Sequence, residues 1–358
     1  MTILTKTTLR RAVFGVAAAM AVAASPVAAQ TVNIAGAGAT FPYPVYAKWA
    51  DAYKKETNVG LNYQSIGSGG GIKQIKAKTV TFGATDMPLK AEELEKDGLV
   101  QWPQIMGGVV PVINLPGIQP GAIKLNGPVL GSIYLGEIKR WNDEKIAALN
   151  PGTTLPNTAI APVYRSDGSG TTFLFTHYLS KANQTFGKQI GANSAVQWPA
   201  GIGAKGNEGV ANMVRQTQGA IGYVEYAYAK QTNIPHAAMQ NRDGQVVEPK
   251  TETFQAAAAN ADWAGTPGYG VILTDQPGAQ SWPITGASFI LMPKAPKDPA
   301  TAEAALKFFS WAFRQGDDLA NALDYVPMPD HVVALVEKTW AEQITAGDKP
   351  IWTATTAK

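Results

Sequence analysis

The sequence predicts an α/β protein built as two lobes with a cleft between them. Short apolar or β-branched runs alternate with amphipathic stretches, the βα rhythm of an α/β sheet. The junctions between them are rich in glycine and hydroxyl residues. Two extended apolar segments, 107–116 and 282–292, stand where the chain would cross from one lobe to the other and back.

In the first lobe, Val32 to Ala35 precedes an amphipathic stretch from Tyr43 to Lys55, Val59 to Gln64 precedes Gly71 to Lys78, and Val80 to Ala84 precedes Lys90 to Lys96. Along the first helix Tyr43, Tyr46, Ala47, Ala50 and Tyr53 recur at helical spacing, which predicts a packed face. The second lobe is expected to hold a helix opened by Ser169, another from Asn207 to Arg215 and a strand from Ala220 to Tyr226. After the return segment, two further helices are expected over Thr301–Arg314 and Asp330–Ile344. The resulting division is 30–107 and 287–358 for the first lobe and 108–286 for the second.

The 358 residues carry no cysteine, which excludes disulfides, thiolate metal sites and a cysteine nucleophile. The formal charge of +3 suggests affinity for nucleic acid until its source is located. Lys6, Arg10 and Arg11 supply all of it, in a front end without acids. An apolar run from Val13 to Ala24 and the small residues Ser25-Pro-Val-Ala-Ala29 follow, the pattern of a signal peptide cut after Ala29. The remaining 329 residues hold 27 basic and 27 acidic side chains, so no nucleic-acid partner is expected. They also contain no run long and apolar enough for stable membrane insertion.

Four loops stand where strands give way to helices: Gly36-Ala-Gly-Ala-Thr40-Phe41, Gly67-Ser68-Gly-Gly-Gly71, Gly83-Ala-Thr85-Asp86-Met-Pro88 and Arg165-Ser-Asp167-Gly-Ser169-Gly170-Thr171-Thr172. Such junctions bind ligands in open α/β sheets. A helix start offers free N–H groups and partial positive charge, which suits an anion. Each loop also reads, less specifically, as a set of turns and caps. Phe41 stands where a dinucleotide fingerprint needs a third small residue, and no loop has a Walker lysine, so no nucleotide cofactor is expected. In the fourth loop Arg165 offers a planar fork for two oxygens of a tetrahedral anion, Asp167 can hold that fork, and Ser169, Gly170 and Thr171 add donors.

Asp86 is at odds with a pocket for a fully ionised anion, because a buried carboxylate repels such a guest. A guest that keeps a proton resolves the conflict by donating it. Monohydrogen or dihydrogen phosphate has that proton at neutral pH, and sulfate does not. The competing reading makes Asp86 a cap for the helix that begins near Pro88.

Beyond these loops, the strings Gly-Ala-Gly-Ala-Thr-Phe-Pro at 36–42, Tyr134-Leu-Gly-Glu-Ile-Lys-Arg-Trp141, Asp167-Gly-Ser-Gly-Thr171, Gly219-Ala-Ile-Gly-Tyr-Val-Glu-Tyr-Ala-Tyr-Ala229 and Leu323-Asp-Tyr325 occur in one order along the chain. In them the sequence resembles the periplasmic phosphate-binding proteins of bacterial high-affinity phosphate ABC transporters. The resemblance implies a type II periplasmic-binding-protein fold, two α/β lobes joined by a two-crossover hinge, closing on phosphate and presenting it to membrane permease subunits. It implies phosphate ligands at Thr40, Phe41, Ser68, Asp86, Arg165, Ser169, Gly170 and Thr171, with Asp167 as the partner of Arg165. The sequence departs from close relatives at Gly69 and Tyr164, where serine and arginine are frequent.

Two other classes compete with this reading. A secreted phosphatase needs a nucleophile beside a base, or metal ligands. The chain offers only His177, His236 and His331, far apart and without an H-E-x-x-H pattern, and His177 reads as a packing or surface residue. A carbohydrate-binding or adhesion module would draw on the 9 tryptophans, but Trp49, Trp141, Trp311 and Trp340 fall in or just after helical stretches and read as core. No catalytic residue, metal or cofactor is expected.

Overall fold

The computed structural model describes residues 33–353; the leader expected at 1–29 lies outside them. Three successive strand–helix units open the fold: β1 (Asn33–Gly38) and α1 (Tyr43–Thr57), β2 (Gly60–Ser65) and α2 (Ser68–Lys76), β3 (Phe82–Thr85) and α3 (Ala91–Asp97). The long strand β4 (Leu99–Ile113) follows, then β5 (Lys124–Asn126), α4 (Gly127–Tyr134) and α5 (Glu144–Leu149). A second strand–helix series comprises β6 (Ala161–Arg165), α6 (Gly170–Ala182), α7 (Gln184–Gln189), β7 (Ile202–Ala204), α8 (Gly206–Gln216), β8 (Ala220–Glu225) and α9 (Tyr226–Gln231). After β9 (Ala238–Gln240), β10 (Val246–Val247) and α10 (Thr251–Ala258), the chain returns through β11 (Thr285–Pro293). It closes with α11 (Pro299–Gln315), α12 (Asp317–Asn321), α13 (Asp330–Gln343) and the short strands β12 (Thr345–Ala346) and β13 (Lys349–Pro350).

Eight strands form one sheet in the order β2-β1-β3-β11-β4-β8-β6-β7. Its flanks are parallel, β2-β1-β3 on one side and β8-β6-β7 on the other. Between them β11 and β4 run antiparallel to each other and to their outer neighbours. β4 changes partner midway: Leu99 to Gly108 pairs with β11, and Val109 to Ile113 pairs with β8. All its residues are buried, and helices α3, α6, α8, α9, α10 and α13 pack against it. A separate three-stranded sheet has the order β10-β9-β5.

The βα rhythm is present in the expected order, with shifted boundaries. The second helix starts at Ser68 rather than Gly71, and within its first turn Gly69 and Gly71 lie close against the backbone of Gly168 and of Gly38 and Ala84. The first crossover strand starts at Leu99, well before residue 107, since its amino-terminal half still pairs with β11. The return strand starts at Thr285 rather than Trp282, whose indole N–H donates to the Val109 carbonyl at 2.9 Å from outside the ladder. The packed face of α1 also differs: Val45, Tyr46, Trp49 and Tyr53 are buried, whereas Tyr43 and Ala47 face outward. Trp49, Trp141 and Trp340 lie in the core, and Trp311 is half-buried with its indole N–H on Glu56.

Candidate functional site

β1 and β3 are parallel, as are β1 and β2, so their carboxyl ends at Gly38, Ser65 and Thr85 lie on one side of the sheet. The residues just beyond these ends are Thr40 and Phe41, Ser68, and Asp86, all buried. From the other flank, β6 ends on Arg165 and α6 begins at Gly170, capped by Ser169, whose hydroxyl accepts the Thr172 N–H at 3.0 Å. The two sets meet. The Ser68 hydroxyl accepts the N–H of Asp86 at 3.2 Å and that of Gly170 at 3.0 Å. Both acceptor positions of the hydroxyl are thereby filled, so its own proton is free only to donate.

Glycine is required at the seam. A Cβ on Gly170 would lie 2.5 Å from the Asp86 Cβ and 2.6 Å from its amide nitrogen. Gly67 has φ +84°, and a Cβ there would meet an Asp167 carboxylate oxygen at 2.4 Å. The Gly69 N–H donates to the Gly168 carbonyl at 2.9 Å. A side chain at 69 would press on the Gly168 Cα at 3.1 Å, which fits glycine at this departure from the relatives. At the other departure, Tyr164 stacks on Trp198 with ring centroids 5.5 Å apart.

Arg165 is held as a fork. Its Nε donates to one oxygen of Asp167 at 2.8 Å and its Nη2 to the other at 2.5 Å. The Asp167 carboxylate also accepts the Gly206 N–H at 3.2 Å. Burial opposes its ionisation, but Arg165 and the Gly206 amide outweigh it and hold the carboxyl below the usual range. Behind the fork, the Arg165 N–H donates to the Tyr223 hydroxyl at 3.1 Å, and Tyr223 stacks on Phe175 at 4.1 Å. With Nε and Nη2 occupied, Nη1 is buried and meets no protein acceptor.

Asp86 stands across the seam. Neither of its oxygens has a hydrogen-bond partner in the protein, although the residue is almost completely buried. Burial pushes its carboxyl up to about 7, against the opposing pull of the nearby Ser288 hydroxyl, the Arg165 guanidinium and the Ser68 hydroxyl. It does not cap α3, whose N-cap is Lys90, so the capping alternative is set aside.

Four residues that the sequence reading did not place here complete the arrangement. The Tyr228 hydroxyl donates to the Thr40 carbonyl at 2.6 Å, and in a trans peptide this turns the Phe41 N–H the opposite way. The Tyr325 hydroxyl lies 2.7 Å from the Phe41 carbonyl and 2.7 Å from the Glu225 carboxyl. Burial raises the Glu225 carboxyl well above its ordinary range, against hydrogen bonds from Tyr325 and the Ala227 amide. Asn207 bonds both the Thr40 and the Thr171 hydroxyls. Their partners lie up to 284 residues away in sequence, and Asn207 alone carries a local signal, since it opens a helix after a glycine as the four loops do.

The result is a set of donors around one unpartnered carboxyl, suited to a tetrahedral oxyanion that retains a proton. His177 is elsewhere in its bonding: its Nδ1 lies 2.6 Å from the Thr274 hydroxyl, and burial lowers the imidazole to about 4. Among the described residues no three metal-ligating side chains cluster.

Known proteins resemble this chain in sequence and in fold. The family profile of the PBP superfamily domain matches residues 23–315. A protein of Haemophilus influenzae named phosphate-binding protein PstS is 54% identical over 316 residues, covering 88% of this chain and 95% of its own. A protein of the same name from Xylella fastidiosa is 51% identical over 320 residues, covering 89% and 88%. Among solved structures, a high-affinity periplasmic phosphate-binding protein with bound phosphate superposes with a TM-score of 0.68 at 21% identity, covering 89% of this chain and 97% of that one. A phosphate-binding protein from Stenotrophomonas maltophilia gives 0.66 at 20% identity, with the same shares.

Proposed function

This chain belongs to the PstS family of phosphate-binding proteins, and from that membership and the site geometry we propose that it binds inorganic phosphate with high affinity outside the inner membrane and delivers it to the permease of a phosphate ABC transporter. The observation that carries the reading is the buried Asp86 carboxyl, unpartnered in the protein and set among donors. A phosphate that keeps a proton donates it to Asp86 and accepts from Arg165 Nη1, the Thr40, Ser68, Ser169 and Thr171 hydroxyls and the Phe41 amide; the Gly170 N–H, expected from the sequence as a direct ligand, is given to Ser68 and acts through that hydroxyl. The protein acts by binding and release, without chemical change to the anion.

Two lobes, 30–107 with 287–358 and 108–286, open and close about the crossing strands β4 and β11. The change of partner along β4 at Gly108–Val109 supports that division. Closure encloses the anion because its ligands come from both sides. The permease meets the rims of the cleft, and the residues at 1–29 address the chain to the periplasm as a signal peptide. No helix among the described residues is long and apolar enough to cross a membrane.

Calorimetry on the ligand-stripped protein tests this with phosphate, sulfate and a phosphate monoester. Saturable binding of phosphate alone is expected. Comparable binding of the ester would favour a hydrolase, and absence of phosphate binding would refute the assignment.

A further inference from the structure

We propose that Asn207 is a positioning residue of the anion site, fixing the hydroxyls of Thr40 and Thr171 so that their protons are presented to the bound anion. The inference rests on the phosphate reading and adds a residue and a mechanism to it. Asn207 is fully buried near the start of α8, after Gly206, whose N–H is held by Asp167. Its side-chain oxygen accepts the Glu225 N–H at 2.9 Å. A backbone N–H can only donate, so this bond settles which end of the amide is oxygen and turns the NH2 group toward the two threonines.

Nδ2 donates to the Thr40 hydroxyl oxygen at 2.7 Å and to that of Thr171 at 3.2 Å. The Asn207 backbone N–H also donates to the Thr40 oxygen, at 3.2 Å. A threonine hydroxyl has two acceptor positions and one proton. Both acceptor positions on Thr40 are taken by Asn207, so its proton can only be donated outward. One position on Thr171 is taken the same way. Ser68 is polarised likewise by the amides of Asp86 and Gly170. The hydroxyls are therefore preset as donors before the anion arrives, leaving Asp86 as the acceptor. Preset donors need not reorganise on binding, which favours affinity.

Asn207→Asp isolates this role. One aspartate oxygen can still accept the Glu225 N–H. The other can only accept, so it draws the Thr40 proton to itself, and the link between the two residues survives with its direction reversed. A residue that merely ties the two sides together would tolerate that reversal apart from the added charge. A residue that presets the donors would not. We expect N207D to weaken phosphate binding by about 100-fold, the scale of charge-assisted hydrogen bonds lost and reversed. The same change made in a Thr40→Val background, where no proton remains to misdirect, should cost only about tenfold, the remainder reflecting charge and Thr171.

Calorimetry on the four proteins of this cycle reads both numbers, with the melting temperature of each ligand-free protein measured alongside. If N207D folds poorly, Asn207→Leu takes its place in the cycle, with a loss that shrinks in the Thr40→Val background again expected. Binding by N207D within about threefold of wild type, or equal losses in both backgrounds, would overturn the assignment. Wild-type protein that fails to bind phosphate would instead overturn the phosphate reading, and this inference with it.

Discussion

At the scale of single residues, the site depends on a contrast between two carboxylates, Asp167 and Asp86. Asp167 is paired with Arg165 through two bonds and held below its ordinary range, so it remains charged and keeps the guanidinium in place. Asp86, buried without a partner, is raised to about 7. A carboxyl raised on folding binds its proton more tightly in the native state than in the unfolded chain. Its contribution to stability is therefore complete at acid pH and declines as pH rises from about 4 towards 7. For the ligand-free protein, the unfolding free energy of wild type should fall over that interval by more than that of Asp86→Asn, with a difference on the order of a few kcal/mol, read by denaturant titration at each pH. Glu225, also raised, is common to both proteins and cancels from the comparison. Parallel profiles would show that Asp86 is not held in the state described.

At the scale of elements, strand ends deliver the proposed ligand residues and glycines permit the approach. α6 begins against Asp86, and the absence of a side chain at Gly170 lets its N–H reach Ser68. Gly170→Ala should leave secondary structure by circular dichroism unchanged while reducing phosphate affinity by at least about tenfold, because the added methyl separates β3 from α6. Unchanged affinity would mean that the seam is looser than it stands here. These same junctions made much of the site legible in the sequence. Thr40, Ser68 and Asp86 each follow a strand and Arg165 ends one, and periodicity locates strands. Boundaries were less legible, since β4 pairs with β11 over one half and β8 over the other, and an unbroken apolar run carries no mark of such a change. β7, three residues long, has too little pattern to mark the strand end that precedes Asn207, although the helix after it is legible.

At the scale of the whole molecule, residues distant in sequence are brought to one point. Tyr228 and Tyr325 reach Thr40 and Phe41 across 188 and 284 residues, Tyr325 meets Glu225 across 100, and no local pattern marks a tyrosine as holding a carbonyl rather than filling a core. The neutral charge of the chain after residue 29 assigns any attraction for an anion to this local geometry, not to a general field. In the proposed closed cleft every group around the anion except Asp86 donates, and that single acceptor distinguishes a protonated from an unprotonated tetrahedral guest. The measurement that tests this most directly is titration of wild type and Asp86→Asn with phosphate and with sulfate under one set of conditions. Wild type should bind phosphate and reject sulfate, and Asp86→Asn, offering a donor where the carboxylate repelled, should narrow that preference by at least about tenfold. Equal discrimination by the two proteins would contradict the account.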